Sequence, residues 1–174
     1  MSARSCGVSC GVDAASFACM SSSLAEAMEW AGLTLFERGW LSSNCLLFTQ
    51  GNGDSATLVD SGYWSHQEQT IELVRRALGP ARLERIVNTH LHSDHCGGNA
   101  ALQKVFDCKV EVPEGEHAKV GEWDETRLTY RATGQHCPRF RSDSGLRSGS
   151  HVVLAGRNWQ VRASPGHDPE SVVL

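Results

Sequence analysis

At 174 residues, with 40% hydrophobic and 21% charged side chains, the chain is long enough for one compact domain with a real core and has an ordinary globular composition. A net charge of -4 argues against a general nucleic-acid binder, and no apolar run approaches the roughly 20 residues of a membrane-spanning helix. Seven cysteines make an odd set, and the N-terminus lacks the charged and apolar regions of a secretory signal, so the sequence predicts a reducing, cytoplasmic setting.

Residues 1–31 read as an N-terminal tail, disordered or an over-called start, because the stretch is rich in Ser, Ala, Gly and Cys and Met20 and Met28 are alternative initiators. Only residues 24–30 suggest a short helical turn. The domain proper is expected over 32–174. Strands are predicted at 33–39, 43–49 and 55–60, with Gly51-Asn52-Gly53-Asp54 as a turn, giving an antiparallel meander at a sheet edge. From Ser65 the period changes. Ile71, Leu73, Val74 and Leu78 recur at helical spacing, and Gly79-Pro80 stops the helix. A strand over 84–89, a helix from about Asp94 to Phe106 and a strand over 108–112 follow, and this alternation predicts an α/β layered fold. Residues 113–149 are polar and punctuated by Gly and Pro, with a helix plausible only over 114–123. A hairpin around Ala155-Gly156-Arg157 then leads into Pro165-Gly166-His167, and Ser171–Leu174 opens another strand.

The chemistry concentrates in Asn88-Thr89-His90-Leu91-His92-Ser93-Asp94-His95-Cys96-Gly97-Gly98. Residues i and i+2 of an extended segment point the same way, so His90 and His92 can converge on one ion. Asp94 and His95 fall where a helix begins and face a different point, which suggests two neighbouring metal positions. Imidazole and carboxylate donors suit zinc best, with iron or manganese as alternatives. A lone His would read as a solvated loop residue; three His and one Asp at this density do not.

The segment Thr89–Gly98 resembles the T-H-x-H-x-D-H-x-G-G signature of the metallo-β-lactamase superfamily. Leu58-Val59-Asp60-Ser61-Gly62 resembles that family's upstream strand-end motif, and Ser164-Pro165-Gly166-His167-Asp168-Pro169-Glu170-Ser171 its P-G-H-(T/D)-x-x-S segment. The resemblance implies that His90, His92 and His167 bind a first metal, that Asp94 and His95 contribute to a second, and that Asp60 supports the ligands from behind. Asp60 taken alone could equally cap the turn after its strand. The implied activity is that of a zinc-dependent hydrolase holding one or two ions and using a metal-bound hydroxide on a small ester, thioester, lactone or amide. Asp94 would orient the nucleophile and shuttle its proton. Gly97 and Gly98 are expected to permit close packing, and Cys96 to be a buried neutral thiol.

Between the ligand motifs, the irregular segment around His136, Arg139 and Arg141 is the candidate for contact with a small-molecule substrate. No nucleic-acid or membrane partner is expected. An iron-dependent oxidoreductase of the same superfamily, similar to persulfide dioxygenases, is the alternative activity. The resemblance also implies a four-layer αβ/βα sandwich of two halves, of which this chain carries the N-terminal half. It is therefore expected to be a truncated form lacking a bridging Asp and a final His, and an inactive fragment is a further alternative. Val172 and Val173 are expected to lack apolar partners.

Overall fold

The computed structural model describes residues 24–39 and 43–174. Most of the expected tail, residues 1–23, lies outside the described residues. Within the rest of it, residues 24–30 form helix α1, in line with the expected helical turn. The Arg157 guanidinium sits 3.9 Å over the Trp30 ring and also donates to the Trp30 carbonyl, so α1 is tied to a hairpin far along the chain.

Strands β1 (Leu33–Phe36), β2 (Cys45–Thr49) and β3 (Ser55–Val59) form the expected antiparallel meander. Gly53, at φ 74°, lets the β2–β3 turn close, with Gln50 N–H donating to Ser55 O. A single 3-10 turn (Trp64–His66) then leads into α2 (Gln67–Leu78), whose buried stripe is Thr70, Val74 and Leu78, spaced by four. Gly79, at φ 54°, ends it. Strand β4 (Arg82–Val87) runs parallel to β3 and is followed by α3 (Ser93–Cys96), α4 (Asn99–Phe106) and β5 (Lys109–Pro113).

The single helix expected from Asp94 to Phe106 is thus two helices broken at Gly97-Gly98. Both glycines sit where the backbone approaches closely. A Cβ at Gly97 would stand 2.4 Å from Ser93 O and 2.5 Å from Trp64 N, and one at Gly98 would stand 2.5 Å from Ser61 O. The polar region after β5 is also more regular than its composition suggests. It holds α5 (Glu114–Glu122), α6 (Tyr130–Thr133) and β6 (Ser144–Leu146), which pairs in parallel with β5.

These six strands form one sheet in the order β1 to β6. Period-two alternation splits its side chains between two cores. Leu47, Leu58, Ile86, Val110 and Val112 join Val74, Leu78, Leu102 and Val120 on the helical side. Phe48, Val59 and Val87 join Leu146, Val152, Leu154, Val161 and Val172 on the other side. There the antiparallel hairpin of β7 (His151–Leu154) and β8 (Arg157–Gln160) packs against the sheet, turning through Ala155 and Gly156, both at positive φ. Strand β9 (Arg162–Ala163) pairs with β10 (Val172–Val173), and the loop between them carries His167. Val172 finds the partners it was expected to lack: it is 6% exposed within the second core, while Val173 remains 49% exposed.

Candidate metal centre

The site forms at the C-terminal ends of the parallel strands β3 and β4, the end of an open α/β sheet where ligands generally bind. Asp60 follows β3 with φ at 58° and donates its backbone N–H to Val87 O, locking the two strand ends together. Its carboxylate then gathers the ligand loop. Oδ1 accepts Thr89 N–H at 2.8 Å, and Oδ2 accepts the Thr89 hydroxyl at 2.7 Å and His95 Nδ1–H at 2.8 Å. These bonds tie Asp60 to the side chains of Thr89 and His95 as well as to the Thr89 backbone.

These bonds set the histidine tautomers. The single Thr89 hydroxyl proton goes to Asp60, so the same oxygen accepts from His90 Nδ1–H at 3.1 Å. His90 Nε2 is left with its lone pair, buried and without a hydrogen-bond partner. An orphaned acceptor of this kind costs stability unless a ligand meets it. By the same logic Asp60 takes the Nδ1 proton of His95, whose Nε2 points to Asp94 Oδ2 at 3.5 Å.

His92 Nδ1 lies 2.9 Å from His167 Nε2, and one ligand atom from each of His90, His92 and His167 falls within 4.8 Å of the others. Loss of hydration and the neighbouring His95 push His90 down to about 4, and burial followed by the His167 charge lowers His92. Both are therefore neutral near pH 7, as a ligand must be. Burial would depress His95 too, but the Asp60 bond and the Asp60 and Asp94 charges raise it on balance. The residues fit a divalent ion: three imidazoles converge, and one has a buried nitrogen with nothing else to bind.

Several supporting groups carry no motif of their own. Asn88 Nδ2 and Ser61 N–H both donate to His95 O, at 3.1 and 2.7 Å, and Asn99 donates to Asn88 at 2.7 Å. A buried Asn directly after an apolar strand is a signal that could have pointed to this network. Gln135 Oε1 accepts Ser93 N–H at 2.7 Å, anchoring the 134–137 segment to the ligand loop. Its neighbour His136 is exposed and stands edge-on to Trp64, with ring centroids 4.6 Å apart. The two arginines expected beside it are engaged elsewhere. Arg139 donates to Gly121 O on α5 and Arg141 to Asp143. Cys96 is fully buried, within 3.2 Å of the Tyr130 hydroxyl and 3.7 Å of Cys137 Sγ, and burial pushes its thiol up.

The family model described as the metallo-beta-lactamase superfamily matches residues 38–174. A hydroxyacylglutathione hydrolase of Anaeromyxobacter dehalogenans is 27% identical over 140 residues, covering 80% of this chain and 45% of that one. Another, of Rhodopseudomonas palustris, is 42% identical over 86 residues, covering 49% of this chain and 26% of that one. The chain thus spans less than half the length of these curated relatives. The FEZ-1 metallo-beta-lactamase of Legionella gormanii superposes with a TM-score of 0.63 at 17% identity, over 74% of this chain and 49% of that one. At that identity the likeness speaks for the fold.

Proposed function

The chain belongs to the metallo-beta-lactamase superfamily, and on that premise we propose that it is a metal-dependent hydrolase of a small acyl substrate, a thioester first among the candidates. The observation that carries the reading is the orphaned His90 Nε2, buried beside the converging nitrogens of His92 and His167. The relatives' name, hydroxyacylglutathione hydrolase, directs the substrate class.

His90, His92 and His167 would hold the first ion, and Asp94 with His95 Nε2 a second. Zinc is proposed because neutral imidazoles with one carboxylate are its common ligands. Such an ion supplies Lewis acidity and a strong nucleophile near neutral pH. The chain's own residues do the rest. Asp60 holds the Nδ1 proton of His95 and presents Nε2 forward, while Thr89 does the same for His90. The Asp94 carboxylate receives the proton of the attacking water and returns it to the departing thiolate. His136, on the segment pinned by Gln135, borders the loop and would contact substrate.

The test is thiol release from an S-acyl glutathione by the zinc-loaded chain. Chelator-sensitive turnover that disappears in His90→Ala is expected. Turnover unaffected by chelation, or bound iron with oxygen uptake in place of hydrolysis, would overturn the reading.

A further inference from the structure

His90 and His95 each have the ring nitrogen that faces away from the cluster held by a named partner, Thr89 and Asp60. His92 poses the same question. Its Nδ1 lies against His167, so Nε2 points outward, and the group facing it is Asp168 Oδ2 at 3.7 Å.

Asp168 is 8% exposed. Its Oδ1 accepts Glu170 N–H at 2.9 Å, and its backbone oxygen accepts the Ser171 amide and hydroxyl. The loop therefore holds Oδ1 and the backbone of Asp168 and leaves Oδ2 on the side of His92. Glu116, whose charge is felt together with that of Asp168, does not neutralise it. Glu116 is itself buried and takes the ammonium of Lys119 at 2.8 Å, and Glu116 is pushed up by its burial despite that lysine, with Asp168 and Glu170 adding to the rise. A carboxylate this little exposed is stabilised by a donor close to each oxygen. At Oδ2 the side chain in position is His92.

We propose that Asp168 is a positioning residue for the metal centre: it accepts the Nε2 proton of His92 and so holds His92 in the tautomer whose Nδ1 lone pair faces His167 and the ion. The separation exceeds a hydrogen bond by about 0.5 to 0.9 Å, a gap that a small side-chain rotation closes. Ligating histidines are commonly oriented by such a carboxylate, and its removal typically costs about 10- to 100-fold in metal affinity. The proposal rests on His92 being a ligand, as in the function proposed above. It also explains why one loop carries His167 and Asp168 side by side. The first meets the cluster from the front, and the second braces its neighbour from the back.

Long-range proton–nitrogen NMR of the imidazoles tests this with and without zinc, in the wild type, Asp168→Ala and Asp168→Asn. Asn keeps an acceptor for Glu170 N–H, so it serves if the Ala variant fails to fold. In the zinc-free wild type His92 should carry its proton on Nε2, and that tautomer should lose population in both variants. Zinc affinity should fall about 10- to 100-fold in Asp168→Ala, and less in Asp168→Asn. A His92 protonated on Nδ1 in the wild type, or variants with unchanged tautomer and unchanged affinity, would overturn the proposal. A wild type that binds no zinc would instead defeat the metal reading, and the zinc-free tautomer would still decide the role of Asp168.

Discussion

Both oxygens of Asp60 are committed to the loop that carries His90, His92 and His95. Asp60→Asn keeps the size but supplies only one acceptor oxygen. We expect zinc affinity to fall about 10- to 100-fold and stability by about 1–3 kcal/mol, measured by chelator competition and urea unfolding. The histidines predict a pH dependence for the metal-free protein. His90 titrates near 4 in the folded state against about 6.5 unfolded. The unfolded chain thus binds more protons between these values, and stability drops as pH falls through that window. His95 acts in the opposite sense: its raised folded value adds stability below about 6.5 that is lost as pH climbs through the folded pKa. Denaturant midpoints against pH should show the acid-side loss in the wild type and a weaker one in His90→Gln. At this scale the sequence was informative where spacing carries the chemistry. His90 and His92 at i and i+2 do converge, and His167 joins them from another loop. It gave no role to Gln135 or Asp168, because a contact with a group far along the chain, such as Gln135 with Ser93, leaves no local period.

Among the elements, the α3–α4 break decides how the ligand loop sits. Gly97 and Gly98 let α3 press against the backbones of Trp64 and Ser61, and Gly98 N–H donates to Gly62 O at 3.1 Å. Gly98→Ala would force a methyl group against Ser61 O and should destabilise the fold by about 1–3 kcal/mol or more, since backbone cannot move aside as a side chain can. Thermal unfolding checks it, and an unchanged midpoint would show that the approach is looser than described. The helical and antiparallel elements were legible from period and turn residues. Strand β6 was not, because Ser144-Gly145-Leu146 has no strand character. Its Gly145 is there for space: a Cβ would lie 2.9 Å from Glu114 Cα.

Taken whole, the molecule places one sheet between two cores and puts the site where two of its parallel strands end. Leu154, fully buried, links the hairpin to the second core, so Leu154→Ala should cost about 2–5 kcal/mol. Loosening that face should also weaken the β9–β10 loop that carries His167. The layered α/β class was readable from alternating periods, whereas the covering of Val172 by Val161 and its neighbours depended on how the preceding hairpin folds back onto the sheet. The central claim is that His90, His92 and His167 share one ion. Equilibrium dialysis against zinc, followed by metal analysis of the wild type and His167→Ala, tests it most directly. The account predicts zinc retained by the wild type and lost from the folded His167→Ala chain. Equal zinc in both, or none in either at micromolar free metal, would contradict it.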